Sequence, residues 1–428
     1  MKIKKIEIKN FKSYKNLNII FDKFNVLIGP NAAGKSNCIQ GIKFFRDIVN
    51  EGLDNAVSMQ GGIGYLKNLN SNLHSDDISF SIIFEPDKPF KFSKEKNNIH
   101  YEFRILEFEY RFILNVFNND SEYKIKSDSL TQIYELFKYE GKKKEPLFKS
   151  KFNISKKSDK FTFSFSKKAH HPFSHSELKE LFFIGFNDFT IEKRLLRSSE
   201  LKRSLLLETP LYFMPHVETL KRDFSKISIY DFDPKQPKTA TSVAGKAHLE
   251  ENGENIAIVL KRILAEDNQK RKFLNLLTYL LPFVEKIDVE SLLDKYLQIV
   301  IKEKYTSNKL IPGFLLSDGT IFLLAIIIAM YFEDKPIVLF EEPERRIHPY
   351  LISKVIDMMK DASATKQIIL STHNPEIVKY AGLENINFIS RDPDGFSVII
   401  KAHERDEIKT FLENEIGIEE LYVQNLLS

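Results

Sequence analysis

Apolar and polar residues alternate along the first thirty positions of the chain, as they do in strands that bury one face. This alternation predicts β-strands over residues 3–11 and 17–21. Residues 25–28, Asn-Val-Leu-Ile, are almost wholly apolar and predict a strand that is buried on both faces of a sheet. After a glycine-containing turn, apolar residues recur at three-residue steps, which predicts a helix over residues 36–50.

Farther along the chain, the pattern alternates between that of strands and that of helices. Residues 77–123 are rich in strand-forming residues and predict an antiparallel sheet. Residues 231–250 predict a loop, because prolines and small residues cluster there. The other predicted elements are helices over 176–206 and 254–281, strands over 288–303, and alternating helices and strands from there to residue 371. The last alternation is typical of an α/β sheet.

Composition narrows the classes of protein to consider. The 428 residues are 43% hydrophobic and 29% charged, so the chain can build a sizeable core. The single cysteine, Cys38, excludes a disulfide framework and a cysteine-based zinc site. The net charge of +4 demands neither nucleic acid nor a membrane as a partner. No repeat and no sustained heptad pattern is present, so a long coiled coil is not expected.

Neither a targeting segment nor a membrane span is expected. No apolar stretch follows the basic N-terminal residues, so they do not form a signal peptide. The apolar run 321–332 is shorter than the roughly 20 residues that a membrane-spanning helix needs, and it predicts a buried helix. We therefore expect a cytoplasmic protein without a membrane partner.

A complete phosphate-binding motif follows the buried strand at 25–28. Residues 29–36 match the pattern G-x-x-x-x-G-K-S and read Gly29-Pro30-Asn31-Ala32-Ala33-Gly34-Lys35-Ser36. Glycine lets the backbone wrap closely around phosphate, and successive N–H groups and the helix N-terminus hold the anion. Lys35 is placed to reach the β- and γ-phosphates, and Ser36 to bind Mg²⁺. The motif predicts nucleotide binding without specifying the class of NTPase.

Three downstream segments can complete such a site. The apolar segment 336–340 ends in Glu341 and Glu342, one placed to hold Mg²⁺ and the other to activate water, although an ordinary charged turn gives the same pattern. Ser317 and Gly319 open the predicted helix at 321–332 and can present N–H groups to phosphate or simply cap that helix. His373 follows another apolar segment, next to an Asn-Pro pair that is typical of a helix start.

Together, in this order, the four segments resemble the ABC-type ATPases and, more closely, the SMC-like AAA-family ATPases related to the overcoming-lysogenization-defect proteins. The segments 8–14, 34–37, 316–320, 341–349 and 371–375 carry the resemblance. It implies an α/β fold of the ABC/SMC head type, with a mixed central sheet, an antiparallel β subdomain and an inserted α+β segment. The domains expected from it are an N-terminal part of the ATPase head at 1–130, an insertion, basic then helical, at 131–225, and a C-terminal part of the head at 226–428.

The resemblance also implies ATP and Mg²⁺ as cofactors, ATP hydrolysis, and a homodimer or higher oligomer that sandwiches ATP. Residues 29–36, Lys12 and Asn37 would bind nucleotide in one chain, while Ser317 and Gly319 would bind it from the partner chain. The catalytic residues would be Lys35, Glu342 and His373, and the metal ligands would be Ser36 and Glu341. The sequence departs from the ABC pattern in having glutamate at 341, where aspartate is usual, and in offering only Gln60 for the usual glutamine after the first helix.

Related nucleases carry a Toprim domain, whose metal ligands this sequence does not clearly supply. Asp392 and Asp394 have the spacing of such ligands but lie in a predicted hairpin turn, and His170, His171 and His175 lie in a basic loop. The chain therefore resembles the ATPase subunits of bacterial antiphage systems such as PARIS and Septu, which act with a separately encoded effector.

The same residues are compatible with two other functions. Among DNA-repair ATPases of the RecF or Rad50 type, the absence of heptads argues against the Rad50 form, and a RecF-like role remains open, since residues 138–168 hold 11 lysines against 3 acidic residues. In that case Lys142, Lys143 and Lys144 would line a DNA path, although a solvated surface gives the same composition. An ABC transporter ATPase fits less well, because about 280 residues separate Ser36 from Ser317.

Overall fold

The computed structural model describes residues 1–70, 76–157, 160–166, 171–182, 204–209, 214–233, 235–307 and 309–402. The chain forms two compact units, each built from separate stretches of sequence. The first unit contains Met1–Phe21, Asn37–Lys226 and Ser390–Ile399. The second contains Asp22–Ser36, Ile227–Ile389 and Ile400–Ser428.

The strands and helices are numbered in chain order. The strands are β1 Lys2–Phe11, β2 Tyr14–Ile20, β3 Phe24–Ile28, β4 Asp77–Glu85, β5 Phe90–Lys96, β6 Ile99–Phe117, β7 Glu122–Glu140, β8 Lys143–Lys157, β9 Lys160–Phe165, β10 Ser228–Tyr230, β11 Thr241–Ser242, β12 Val284–Leu292, β13 Tyr296–Glu303, β14 Ile311–Pro312, β15 Ile337–Glu341, β16 Gln367–Thr372, β17 Ile386–Arg391 and β18 Ser397–Lys401. The helices are α1 Lys35–Glu51, α2 Leu53–Met59, α3 Ile63–Leu66, α4 His175–Phe182, α5 Pro215–Ser225, α6 Lys235–Lys238, α7 Ile256–Leu264, α8 Asp267–Leu280, α9 Asp318–Tyr331, α10 Pro349–Ala362 and α11 Pro375–Ala381.

A large antiparallel sheet forms the body of the first unit. Its strand order is β2-β1-β4-β6-β7-β8-β9, with β5 paired to β6. The antiparallel sheet predicted at 77–123 is thereby confirmed. The sheet continues without interruption through β7, although the inserted segment was predicted to begin at position 131, inside this strand. Most lysines of the basic block therefore stand on strands, where alternate residues such as Phe152 and Ile154 point inward.

Aromatic side chains make the core between this sheet and the C-terminal part of α1. Phe80 and Phe112 stack with ring centroids 4.8 Å apart. Phe45 of α1 meets both rings edge-on, at 5.6 and 5.7 Å. Offset-stacked and edge-to-face pairs are the favoured arrangements of aromatic rings. The apolar residues that recur at three-residue steps in α1 therefore pack this helix against the sheet.

A buried carboxylate in the same sheet holds the segment 204–209. Asp128 of β7 is 1% exposed, and its Oδ2 accepts a hydrogen bond from the Leu206 N–H at 2.6 Å. Lys156 of β8, also buried, donates to the Ser204 carbonyl. Residues 204–209 form turns, and the last residues of the predicted helix, 204–206, are therefore not helical, because Asp128 and Lys156 hydrogen-bond to their backbone. Of the rest of the predicted helix 176–206, α4 covers the beginning and the remainder lies outside the described residues.

A mostly parallel sheet forms the centre of the second unit. Its strand order is β10-β15-β16-β3-β17-β18, and β10–β15, β15–β16, β16–β3 and β3–β17 are parallel pairs. The strand predicted at 25–28 is β3, which is buried at every position. The apolar run 321–332 falls in α9 and its C-terminal end, and residues 321–330 are buried, as predicted. A smaller sheet of β11, β13, β12 and β14 joins the same core.

Two predictions for the second unit need correction. The predicted loop 231–250 contains the short helix α6 and strand β11. The single helix predicted over 254–281 is two helices, α7 and α8, because the backbone becomes extended at Glu266 (φ −107°, ψ 119°). Within the described part of the chain, no helix is both long and apolar enough to cross a membrane.

The buried Asp128 makes the stability of the protein depend on pH. Burial raises the pKa of Asp128 to about 7, whereas an aspartate in an unfolded chain titrates near 3.9. Between about pH 4 and pH 7 the folded state thus binds more protons than the unfolded state. The stability that protonated Asp128 contributes is fully present below about pH 4 and is lost as pH rises through 7. We expect Asp128→Asn to flatten the fall in unfolding free energy between pH 5 and 8, measured by urea denaturation. The exposed Asp394→Asn is the control, and an unchanged slope in Asp128→Asn would contradict the assignment.

Candidate functional site

Three adjacent parallel strands end at one edge of the central sheet, and a predicted motif follows each of them. Glu341 at the end of β15 pairs with Ser371 of β16, and Ser371 pairs with Leu27 of β3. Because parallel strands present their carboxyl ends on the same side, the residues that follow them gather there. The phosphate loop is thus brought together with the two glutamates and His373, although more than 300 residues separate the loop from them in sequence.

The phosphate loop is tightly folded between β3 and α1. The Lys35 ammonium donates to the carbonyl oxygens of Gly29 and Pro30, at 2.8 and 2.9 Å. Burial lowers the pKa of Lys35, while the charges of Glu342 and Glu344 partly offset this. Gly29 leaves room for β17, since a Cβ atom there would lie 2.1 Å from the Ile389 carbonyl oxygen. The helix N-terminus at Lys35 faces the loop, which is the arrangement that binds phosphate.

Ser36 and Glu341 supply two oxygen atoms of the kind that Mg²⁺ prefers. The Ser36 hydroxyl donates to Glu341 Oε2 at 3.1 Å. Glutamate in place of the usual aspartate therefore still reaches the serine of the phosphate loop. Hydroxyl and carboxylate oxygens beside a phosphate-binding loop fit a magnesium ion that keeps several of its waters.

Glu342 and His373 form a second contact at this edge. His373 Nδ1 lies 2.7 Å from Glu342 Oε1, and both side chains are partly exposed. Glu342 has a left-handed backbone conformation (φ 44°), which costs a residue of this kind on the order of 1 kcal/mol or more. Its N–H donates to the Ser371 carbonyl at 2.9 Å, which helps to hold this conformation. A carboxylate and an imidazole in contact, next to a phosphate loop, can position a water molecule and accept its proton.

A third carboxyl group at this edge was not singled out by the sequence. Glu344 is 7% exposed and accepts a hydrogen bond from the Thr372 hydroxyl. Burial raises the pKa of Glu344 to about 7, the hydrogen bond from Thr372 opposes this rise, and the charge of Glu342 adds to it. The only signal in the sequence is a further acidic residue soon after an apolar strand, which more often indicates a solvated turn.

Ser317 and Gly319 lie at the start of α9. The Ser317 hydroxyl accepts from the Thr320 N–H at 3.0 Å, so it is a helix N-cap. Asp318 pairs with Arg346 at 2.9 Å and with Lys238. At Gly319, a Cβ atom would lie 2.7 Å from the Arg346 carbonyl oxygen, so glycine is needed where the loop after β15 passes closely. The start of α9 is therefore held against the loop after β15. Binding of a second chain's nucleotide by Ser317 and Gly319 stays a prediction.

The remaining predicted nucleotide-binding residues, Lys12 and Asn37, lie in the first unit. Lys12 donates to Gln60 Oε1 at 2.9 Å and also to Gln40, and burial lowers the pKa of Lys12. Asn37 follows Ser36 in α1 and donates to the Ser13 hydroxyl at 2.7 Å. Gln60, the candidate for the usual glutamine, thus contacts Lys12. The nucleotide-binding roles of Lys12 and Asn37 stay predictions.

Two of the candidate metal ligands outside this edge, His171 and Asp392, have structural partners. His171 contacts the Tyr134 hydroxyl at 3.1 Å and accepts from the Phe173 N–H, while His170 lies outside the described residues. Asp392 accepts from the Phe396 N–H at 2.8 Å and so closes the turn between β17 and β18. Across the described ranges, no group of three or more His, Cys, Asp or Glu residues is arranged to hold a metal ion.

The three lysines predicted to line a DNA path, Lys142, Lys143 and Lys144, differ in their exposure to solvent. Lys144 is engaged within the chain, with Glu102 at 2.7 Å and the Phe137 ring centroid at 3.9 Å. Lys142 and Lys143 are exposed at the turn between β7 and β8. Only part of the predicted basic path therefore presents its charge to solvent.

Comparisons with known proteins agree with this geometry. The head of an SMC protein, solved bound to the C-terminal winged-helix domain of ScpA, has a TM-score of 0.50 and 17% sequence identity, and the match covers 94% of this chain and 99% of that one. This likeness shows the fold, which is the ABC/SMC-type P-loop head that the motifs implied.

Curated relatives match over short segments. The chromosome partition protein Smc of Methanocaldococcus jannaschii is 49% identical over 43 residues, which are 10% of this chain and 4% of that protein. The DNA replication and repair protein RecF of Lactococcus lactis is 44% identical over 45 residues, which are 10% of this chain and 12% of that protein. The match thus spans only a small part of these relatives.

A family model extends the match over most of the chain. Residues 24–379 fit the AAA_21 model, described as "AAA domain, putative AbiEii toxin, Type IV TA system". This range includes the phosphate loop, both glutamates, the start of α9 and His373. The chain belongs to the AAA_21 family of AAA domains.

Proposed function

We propose that this protein binds and hydrolyses ATP, and that two copies close around the nucleotide during the reaction. The observation that carries the proposal is the pair of contacts at one sheet edge, Ser36 with Glu341 and Glu342 with His373. Membership of an AAA family and the SMC-type fold support it.

Each residue at this edge has a task that follows from its chemistry. The Lys35 ammonium would move from the carbonyls of its own loop to the phosphates, since both are hydrogen-bond acceptors. Ser36 and Glu341 would hold Mg²⁺, which when bound neutralises charge on the phosphate oxygens. Glu342 would accept the proton of the attacking water, and His373 would orient that water through its contact with Glu342.

The start of α9 supports the proposal of a second copy. Ser317 caps the helix, and the residues before it, Phe314 and Leu315, are 59% and 66% exposed. Exposed apolar side chains beside an N-terminus that can receive an anion suit a surface that closes over a nucleotide held by another chain. The ion pair of Asp318 with Arg346 would then connect this surface to Glu342, because Arg346 and Glu342 lie in the same loop after β15.

Dependence of ATP turnover on protein concentration tests this proposal. We expect the rate per chain to rise with concentration, because each site needs residues from two chains. In Glu342→Gln the rate should fall by about 10²–10⁴-fold through loss of the general base, while the exposed Glu290→Gln should behave as wild type. A wild-type rate per chain that stays constant across concentration, or an active Glu342→Gln, would contradict the proposed site.

We further propose that the ATPase controls a separately encoded effector in bacterial defence against phages. The resemblance of its motifs to ATPase subunits of antiphage systems supports this, as does the family description, which refers to a toxin–antitoxin system. Opening and closing of the two copies would hold or release the effector.

Phage challenge of cells that carry the protein with its neighbouring genes tests this role. We expect Lys35→Ala to abolish protection, because the loop can no longer hold the phosphates, while the exposed Lys9→Ala on β1 retains it. Full protection by Lys35→Ala would refute the role.

A RecF-like action on DNA is the alternative, favoured by the short stretch shared with RecF. In that case DNA would stimulate turnover in a steeply salt-dependent way, and neutralising Lys142 and Lys143 would remove the stimulation.

A further inference from the structure

Glu344 occupies a position that a carboxyl group rarely takes without a role. It lies in the turn that leads away from β15, two residues after Glu342, yet it is 7% exposed. Its Oε1 accepts from the Thr372 hydroxyl, and within the described residues its Oε2 has no hydrogen-bond partner. Burying a carboxyl group costs free energy unless hydrogen bonds compensate, and among the described residues Thr372 supplies that compensation.

The partner of Glu344 lies directly beside the histidine of the site. Thr372 is the last residue of β16 and is fully buried. Its hydroxyl donates to Glu344 and also accepts from the Asn374 N–H at 2.9 Å. These two hydrogen bonds fix the backbone on both sides of His373, which stands between Thr372 and Asn374.

Glu344 also restrains the turn that carries Glu342. The turn is joined to the end of β16 at three points, namely Glu342 N–H to the Ser371 carbonyl, Glu344 to Thr372, and Glu342 to His373. The first of these contacts is made by the backbone, and the third joins partly exposed side chains. The contact between Glu344 and Thr372 joins two buried side chains. The left-handed conformation of Glu342 persists only if its surroundings enforce it, and a buried restraint two residues away does so.

We infer that Glu344 is a positioning residue, whose hydrogen bond with Thr372 fixes the Glu342 carboxylate against His373 and so sets the geometry for activating water. The inference rests on the proposed ATPase function, since it assigns a task toward the same two residues. In this role Glu344 would act through Glu342 and not directly on the nucleotide.

Matched variants at Thr372 and Glu344 test this inference. Thr372→Ser keeps the hydroxyl, whereas Thr372→Val has nearly the same shape and lacks it. Glu344→Gln keeps an acceptor for Thr372, whereas Glu344→Ala removes it. We expect Thr372→Val and Glu344→Ala to lower kcat at least tenfold with KM for ATP nearly unchanged, and Thr372→Ser and Glu344→Gln to retain most of the turnover.

A second measurement needs neither ATP nor turnover. Diethyl pyrocarbonate modifies unprotonated imidazole nitrogens, and its rate at His373 can be followed by mass spectrometry on the full chain. We expect the rate at His373 to change several-fold in Thr372→Val and Glu344→Ala, because the Glu342 contact at Nδ1 governs both access to that nitrogen and the reactivity of the ring, and to stay at the wild-type value in Thr372→Ser and Glu344→Gln. Thermal unfolding of every variant separates these effects from loss of the fold.

The two measurements distinguish failure of the inference from failure of the proposed function. If wild type has no turnover but the His373 rates follow the expected pattern, the ATPase proposal fails and the positioning role stands. If Thr372→Val and Thr372→Ser give equal kcat and equal His373 rates, the positioning role is wrong. A rise in KM with unchanged kcat would also overturn it, since Glu344 would then act in nucleotide binding.

Discussion

The parallel pairing of β15, β16 and β3 is the constraint on which the candidate site depends. Pairing of Glu341 with Ser371 and of Ser371 with Leu27 sets three strand ends at one level. A shift of this register by one residue would turn Glu341 to the opposite face of the sheet and away from Ser36. The buried cluster of the second unit, including α9, keeps the register by covering the sheet with apolar side chains.

Several locally unfavourable features concentrate at this edge. Glu342 has a left-handed backbone, Glu344 is a buried acid, and Gly29 and Gly319 each accept a backbone approach that a Cβ atom would block. The strands beneath them are regular and fully buried. Strain held by a rigid support is typical of a site that must keep reactive groups in fixed positions. It also explains why the turn after β15 is joined so closely to both β16 and α9.

The parts of the fold that were predictable are those with a local signal. The strand at 25–28 and the loop at 29–36 could be identified because burial and phosphate binding each impose a short pattern. The continuation of the antiparallel sheet through β7 and β8 could not, because outward-facing lysines dominate the composition and mask the alternation. Glu344 was missed because its burial depends on Thr372, which comes from another strand. The turns at 204–209 likewise depend on the distant Asp128.

Equilibrium binding of ATP tests the central claim most directly, namely that this sheet edge is a site for magnesium and nucleotide. The measurement compares wild type, Lys35→Ala and Ser36→Ala, each with Mg²⁺ and with a chelator. The account predicts that wild type binds at least tenfold more tightly with Mg²⁺, that Ser36→Ala loses this difference, and that Lys35→Ala binds weakly in both conditions. Equal affinity of all three proteins, with no effect of Mg²⁺, would contradict it.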